Sequence, residues 1–564
     1  MVRILRRRPP RMNSLLLLLD SILVLLALLA STVHAQSASS ELADPSTTNF
    51  NLTGTSTGYI FHLSSTNDPL YITLSLCNPP SALSSTLPAS LPYALYVSNS
   101  SSNQQPGPST STSDDIDAGY VALLEQGFAN VSLSSANDGG AWISIWTPDD
   151  GSVNSTSATG IWNYELAVSS DAPIEVLDGG ASYKFEDADA SSALLTTSNW
   201  TVRGDDVGTA VPRYSAVIRP TTQLTSSLGR SRCFVQGATE GAIAASAIAS
   251  SQTTRGYGGG RRMQYEVSAL DKGQNYTSWL VQAGSASTRL WDPVYFATKE
   301  SSNCRLVHSL SFCPAVAYSV PAPSTLSTND LVSYYNSSLS SSIVNFTRSL
   351  STFPCNSTAM GGYSFISTCD DCLEAYRTWT CAITMPRCTD APSDAKLNTS
   401  TSLEWAIPDS YQQTVLRAEP LVSRTPAFAP SLLADTFPSL SFNSTVTTDD
   451  QTPFPYAEVP PCLDSCQLVG ARCPPMFSWV CPQPGGTGTA GYGVTQEVDP
   501  DSRMAGDVGG NGGLRAGDRF GNVFCNSLGT DLQMAVQISS AGRSSLGVGT
   551  LILAFASLST FLIV

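Results

Sequence analysis

The 564-residue sequence predicts a mixed fold, in which an N-terminal antiparallel β-sandwich region precedes a disulfide-rich, largely helical cysteine-rich domain. Two observations support this order. Short runs that alternate between apolar and polar residues recur between residues 36 and 300, which is typical of half-buried strands. After residue 300 the apolar residues are spaced by three and four instead, and twelve of the fourteen cysteines lie there.

Residues 36–220 are predicted to form a β-sandwich-like domain. Four runs in this range alternate with period two, at 71–76, 93–97, 142–146 and 162–166. The sequence NDGG at 137–140 supplies the turn that a hairpin needs.

Residues 221–300 are predicted to form a low-complexity loop and a second β region. Small residues dominate up to about residue 260, and alternation resumes around 263–294. Two sandwiches in tandem would fit this order.

Residues 301–530 are predicted to form the cysteine-rich domain, with two amphipathic helices in it. One helix presents a single apolar face made of Leu331, Tyr334, Tyr335, Leu339, Ile343, Phe346 and Leu350. The other places Cys369, Cys372, Tyr376, Trp379 and Ile383 on one stripe that faces a core.

Both ends of the sequence carry hydrophobic segments. Arginines precede the apolar run 15–30 and Val33-His34-Ala35 suits a signal peptidase, so residues 1–35 are predicted to be a removable secretion signal. Residues 531–564 are predicted to be a spacer and a hydrophobic tail that reaches the last residue without a basic flank. This ending favours a glycolipid-anchor signal, and a single membrane helix is the alternative.

A secretory route also agrees with the N-glycosylation acceptors, which occur at Asn51, Asn99, Asn130, Asn154, Asn199, Asn275, Asn336, Asn345, Asn356, Asn398 and Asn443. The formal charge is −16, and loss of the signal removes five arginines and one aspartate and leaves −20. Because a surface this acidic repels nucleic acid, we expect no nucleic-acid partner.

Disulfides are the first interpretation of the cysteines in an oxidising compartment. The predicted disulfide residues of the C-terminal region are Cys304, Cys313, Cys355, Cys369, Cys372, Cys381, Cys388, Cys462, Cys466, Cys473, Cys481 and Cys525. The sequence leaves their pairing open. Zinc binding and thioredoxin-like redox chemistry at Cys369-x-x-Cys372 are weaker alternatives, since thiols oxidise on this route and no βαβ pattern surrounds the motif.

Three short patterns imitate functional sites. Gly54-Thr55-Ser56-Thr57-Gly58 matches a hydrolase elbow, but a serine-rich chain forms it easily, and the possible bases His62 and His308 stand in no recognisable setting. Arg203-Gly204-Asp205 is best explained by chance. Glu186-Asp187-Ala188-Asp189 lacks the glycine and distal glutamate of a calcium loop, so it is predicted to be a solvated acidic turn. We therefore expect no enzyme, no cofactor and no metal.

Two cysteine motifs resemble a known family. One is Cys369-x2-Cys372-x3-Tyr376-x2-Trp379-x-Cys381 with Pro386-Arg387-Cys388, and the other is Pro461-Cys462-x3-Cys466-x6-Cys473-Pro474 with Cys481-Pro482. In this order they closely resemble the cysteine-rich region of the fungal stretch-activated calcium-channel component, the mating-induced-death family of accessory subunits. The N-terminal β region agrees with that family only in character.

The resemblance implies a mechanosensitive plasma-membrane glycoprotein on the extracellular face. It would be the regulatory subunit of a large four-repeat, voltage-gated-like calcium channel and would support calcium influx during stretch, mating or stress. It also implies a frizzled-like cysteine-rich domain. We predict that Tyr376, Trp379, Phe477 and Trp479 form its structural core, beside the disulfides.

Two other functions remain as alternatives. A glycolipid-anchored cell-wall glycoprotein or adhesin would bind through the β domains. An ectoenzyme is the weakest alternative, because the sequence has no recognisable catalytic constellation.

Overall fold

The computed structural model describes part of the chain, namely residues 40–53, 59–64, 69–80, 93–107, 120–133, 140–146, 160–178, 183–201, 210–222, 227–237, 242–255, 260–284, 286–300, 302–322, 326–354, 363–364, 367–389, 422–424, 456–482, 492–493, 496–498, 513–515 and 525–528. The predicted signal and the predicted spacer and tail lie outside these residues, as does the hydrolase-like pattern at 54–58.

The first nine strands form a β-sandwich. They are β1 (Ser40–Glu41), β2 (Ser46–Thr53), β3 (Tyr59–Leu63), β4 (Leu70–Asn78), β5 (Ala94–Ser98), β6 (Tyr120–Leu123), β7 (Phe128–Leu133), β8 (Ala141–Trp146) and β9 (Ile161–Ser169). One sheet has the order β1-β3-β8-β5-β6 and the other β2-β9-β4-β7. Every pairing is antiparallel except that of β1 with β3.

Alternation along the strands explains how the two sheets come together. In β9, Trp162, Tyr164 and Leu166 lie in the shared core, whereas Asn163 and Glu165 between them lie on the opposite face. Burial of one face of each sheet against the other is the hydrophobic contribution that holds the sandwich together.

The next elements form a second sandwich. They are β10 (Glu175–Asp178), β11 (Tyr183–Ala188), β12 (Ala193–Thr197), β13 (Tyr214–Pro220), α1 (Arg232–Gly237), β14 (Ile248–Thr253), β15 (Arg262–Val267), β16 (Asn275–Ala283), β17 (Thr288–Trp291) and β18 (Val294–Ala297). One sheet has the order β10-β17-β16-β13, with β18 also paired to β16, and the other has the order β11-β12-β15-β14.

Strand β16 lies between two hydrophobic cores. Trp279 and Val281 belong to the core of the first sandwich, while Tyr276 and Leu280 belong to the core of the second. A strand that is covered on both faces reads as a nearly continuous apolar run, and this one does. The two sandwiches are therefore packed layers and not separate modules.

The described residues of the C-terminal part combine short strands with three α-helices. It contains β19 (Cys304–His308), β20 (Ala317–Pro321), α2 (Thr328–Leu350), α3 (Cys369–Thr384), β21 (Arg387–Thr389), β22 (Val422–Arg424), β23 (Tyr456–Val459), α4 (Leu463–Arg472), a 3-10 turn at Pro475–Phe477, β24 (Gln496–Val498) and β25 (Gly513–Arg515). The hairpin of β19 and β20 packs on the second sandwich, where Leu306 and Ala317 bury Leu194.

Local sequence determines where the two longer helices begin. Ser327 accepts a hydrogen bond from the Asp330 amide and caps α2. Thr368 and Asp371 form a reciprocal capping box at the start of α3. Both helices therefore begin at residues whose side chains satisfy free amides of the first turn.

The prediction of a largely helical, frizzled-like cysteine-rich domain is wrong, although a β-rich N-terminal region is observed. Among the described residues 43% lie in strands and 21% in helices. Helical spacing identifies the buried face of one helix but not what covers that face. Here Cys381 and Ala382 of α3 pack with Val320 of the β19–β20 hairpin, so strands supply much of the surface that the prediction assigned to helices.

Candidate functional site

Disulfides connect the elements of the C-terminal part to one another. Cys304–Cys388 joins β19 to β21, and Cys313–Cys381 joins the β19–β20 hairpin loop to α3. Cys372–Cys473 joins α3 to the end of α4. Cys462–Cys525 and Cys466–Cys481 connect the start of α4 and its middle to residues that follow the helix. Cys369 is also disulfide-bonded, and Cys355 lies outside the described residues.

The four cysteines of 369–388 do not form one cluster. Cys372, Cys381 and Cys388 each bond to a cysteine elsewhere in the chain, so they tie this segment to three different parts of the fold. No group of three His, Cys, Asp or Glu residues within the described ranges is arranged to hold a metal ion.

Aromatic residues fill the space between α2, α3 and α4. Phe346 of α2 stacks on Tyr376 with ring centroids 3.6 Å apart, and Trp379 meets Trp479 edge-to-face at 4.7 Å. Phe477 lies 5.3 Å from Phe346. The structure thus brings together the four aromatic residues singled out in the sequence and adds Phe346 to them.

The segment after α4 is fixed to this aromatic cluster. The Nε1 atom of Trp479 donates to the Cys466 carbonyl at 3.1 Å, and Cys481 is bonded to Cys466 on the same turn of α4. Trp379 Nε1 lies 3.0 Å from the Tyr492 hydroxyl. The half-buried polar ends of both indoles therefore have hydrogen-bond partners.

The acidic segment at 186–189 is buried, and the prediction of a solvated turn there is wrong. Asp187 is 6% exposed. Its Oδ1 accepts from Lys299 Nζ at 2.8 Å, and its Oδ2 accepts from Arg387 Nε at 3.0 Å and from the Ser319 amide at 3.0 Å. One carboxylate thus joins β11 of the second sandwich to β20 and β21.

A β-bulge and opposite charges account for this junction. The register of β11 shifts between Phe185 and Asp187, which turns Asp187 toward the β19–β20 hairpin. Burial raises the pKa of the Asp187 carboxyl, but the charges of Arg387 and Lys299 outweigh burial and leave the pKa below its ordinary value. The carboxylate is therefore ionised and paired.

A second buried carboxyl lies between the two sandwiches. Glu175 of β10 is 3% exposed, and it accepts hydrogen bonds from the Ser75 hydroxyl at 2.6 Å and the Arg232 amide at 3.0 Å. Burial raises its pKa to about 7, although Ser75 and the Arg232 charge oppose the rise. The Cys77–Cys233 disulfide joins β4 to α1 at the same place.

Seven predicted glycosylation acceptors lie in described segments. Asn51, Asn130, Asn336 and Asn345 are exposed, while Asn99, Asn199 and Asn275 are half-buried. The remaining acceptors, Asn154, Asn356, Asn398 and Asn443, lie outside the described residues.

His62 and His308 have ordinary structural partners. His62 Nδ1 lies 3.1 Å from a Glu41 carboxylate oxygen, and His308 Nε2 lies 3.3 Å from Glu266. Burial lowers the pKa of His308, while the Glu266 charge opposes the change. His62 lies on β3 of the first sandwich, and His308 lies on β19 beside the second sandwich. The two histidines therefore do not combine into one site.

Sequence reasoning missed the residues that join the layers. Asp187, Lys299 and Arg387 are separated by about a hundred residues or more, so no local pattern connects them. A usable signal was the alternation of Tyr183 and Phe185 with charged residues, which indicates a strand and not a turn.

Within the described residues, no helix is long and apolar enough to cross a membrane.

Known proteins are similar to this sequence over most of its length. Residues 69–508 match the family Mid1, described as a stretch-activated Ca2+-permeable channel component. The stretch-activated cation channel yam8 of Schizosaccharomyces pombe is 26% identical over 73% of this chain and 76% of its own. The stretch-activated cation channel MID1 of Saccharomyces cerevisiae is 24% identical over 64% of this chain and 67% of its own. The chain therefore belongs to the Mid1 family of stretch-activated Ca2+-permeable channel components.

Proposed function

We propose that this protein is an extracellular accessory subunit of a plasma-membrane calcium channel, which supports calcium influx in response to stretch, mating or stress. Its partner would be a large four-repeat, voltage-gated-like channel subunit. The C-terminal tail would hold the protein at the membrane, either through a lipid anchor or as a single helix.

The observation that carries the proposal is the disulfide-framed C-terminal part in a chain of this family. Disulfides of this density form and persist in oxidising compartments, which supports an extracellular location. They hold α3 and α4 in a fixed geometry around the aromatic cluster. A fixed external surface suits a subunit that contacts and stabilises a channel rather than one that carries out chemistry.

Co-purification tests the partnership. The tagged full-length protein should recover a multi-span, four-repeat channel subunit from native membranes in mild detergent. Recovery of no such channel would contradict the proposal.

Calcium uptake separates this function from that of a cell-wall glycoprotein or adhesin. A deletion strain should take up less calcium under membrane stress, and the full-length protein should restore uptake. Unchanged uptake together with altered adhesion or wall composition would favour the wall protein instead.

A further inference from the structure

The loop that follows α4, residues 474–482, exposes two large apolar side chains. Met476 and Val480 are each 81% exposed, more than any other large apolar side chain in the described part of the sequence. Phe477 and Trp479, which lie between them in the sequence, pack inward on the aromatic cluster. Burial of the aromatic pair therefore directs the aliphatic pair into solvent.

Several contacts hold the 474–482 loop in one conformation. Its two ends are fixed by disulfides, because Cys473 bonds to Cys372 and Cys481 bonds to Cys466. Pro475 opens a 3-10 turn, and Ser478 at its end adopts a left-handed conformation with φ of 50°. The Trp479 indole bonds to the α4 backbone. Docking would thus order little that is not already ordered, which favours affinity.

Methionine is enriched at protein interfaces, and side chains that are ordered before docking lower the entropic cost of binding. Leaving them in water costs the free energy that burial would recover, and nothing in the inward packing of Phe477 and Trp479 requires a methionine or a valine at the exposed positions. We propose that the 474–482 loop is the docking site for the extracellular face of the channel subunit, with Met476 and Val480 as its anchors. This inference rests on the proposed function.

Charge indicates what surface the partner presents. Asp370 and Glu374 are exposed on the first turns of α3, the helix that packs against α4 and is bonded to the start of the loop at Cys473. The chain as a whole is strongly acidic. An anionic lipid surface would be repelled here, whereas a protein pocket with an apolar floor and a lysine- or arginine-rich rim would be complementary.

A double variant tests the anchors in the full-length protein. Met476→Asp with Val480→Asp should lower the recovery of the co-purified four-repeat channel subunit at least about tenfold. Both positions are exposed, so surface abundance should stay unchanged. Tyr120→Asp with Leu123→Asp is the matched control, since β6 exposes these two apolar side chains on an edge strand of the first sandwich. This control should recover the channel normally.

Photo-crosslinking identifies the contacted surface. A benzophenone amino acid in place of Met476 should crosslink to an extracellular loop of the channel subunit, and one in place of Tyr120 should not. Glu374→Lys should reduce recovery at low salt and make it less sensitive to added salt. Unchanged recovery and salt dependence in Glu374→Lys would overturn the basic rim.

The outcomes distinguish failure of the loop assignment from failure of the proposed accessory function. If the wild-type protein recovers the channel and the Met476/Val480 double variant recovers it equally well, the loop assignment is overturned and the accessory function stands. If the wild-type protein recovers no channel, both fail. Crosslinking of position 476 to lipid instead of protein would also overturn the assignment, in favour of a membrane-contacting loop.

Discussion

Asp187 is the residue through which the second sandwich and the C-terminal part are joined electrostatically. Its carboxylate lies between the cations of Lys299 and Arg387 and receives the Ser319 amide. Asp187→Asn leaves two buried cations without their counter-charge, so we expect a loss of about 3–5 kcal/mol of stability. Thermal unfolding of the purified protein should show a clearly lowered midpoint.

The exposed pair of Asp178 and Arg289 is the control for that variant. These side chains lie 3.3 Å apart but are accessible to solvent. Asp178→Asn should therefore change stability by less than about 1 kcal/mol. Equal unfolding midpoints for Asp187→Asn and Asp178→Asn would show that the buried carboxylate contributes no more to stability than the exposed one.

Glu175 should make stability depend on pH. Its pKa in the fold is about 7, above the ordinary value of 4.5, because it is buried between the sandwiches. The unfolded chain releases this proton first, so the contribution is complete below about pH 4.5 and is lost as the pH rises toward 7. Glu175→Gln should flatten the unfolding midpoint between pH 5 and 7.5. A slope identical to that of the wild type would contradict the assignment of this pH dependence to Glu175.

Two of the disulfides of α3 leave the helix in different directions. Cys381 holds it to the hairpin loop at Cys313 across 68 residues, and Cys372 holds it to Cys473. Loss of such a cross-link typically costs about 2–5 kcal/mol and exposes the core beneath it. Cys381→Ser, like Cys369→Ser, should cause retention in the secretory pathway, measured as intracellular against surface protein.

The Cys466–Cys481 bond should behave differently. It closes a loop of only 15 residues and fixes the 474–482 loop rather than the contacts between helices and strands. Cys466→Ser with Cys481→Ser should therefore reach the surface in larger amounts than Cys381→Ser. Equal retention of both would indicate that the disulfides act together as one folding unit.

The sequence predicted elements better than it predicted their partners. Buried positions of α2 follow the predicted apolar face, because a 3.6-residue period is visible without tertiary information. Along α3, however, Ile383 is 38% exposed although the stripe placed it in a core, and Cys381 lies buried off that stripe. This helix is covered on two sides by elements distant in sequence, which no single periodicity encodes.

The same reason limited what the sequence revealed about the candidate site. Tyr376, Trp379, Phe477 and Trp479 could be selected because they accompany cysteines in short motifs. Their packing with Phe346, and the exposure of Met476 and Val480, depend on how α2, α3 and α4 meet. The contact between α3 and α4 is fixed by Cys372–Cys473, a pairing that spacing alone leaves open, and α2 packs on both helices without a cysteine of its own.

The described part of the chain is a succession of layers in roughly chain order. The first sandwich is joined to the second at Glu175 and Cys77–Cys233, and the second is joined to the hairpin and helices at Asp187. Strand β16, with a core on each face, lies inside this succession. Its amides should exchange with deuterium more slowly than those of β14, a largely exposed strand paired on one side.

Layers joined at separate places should also loosen separately. Arg387→Gln removes one of the two cations from Asp187, and it leaves Glu175, Ser75 and Cys77–Cys233 untouched. Hydrogen exchange should therefore accelerate in β11, β20 and β21 and stay unchanged in β4 and β9. Arg289→Gln, at an exposed ion pair, should change neither set. Faster exchange throughout the protein would instead mean that all layers unfold as one cooperative unit.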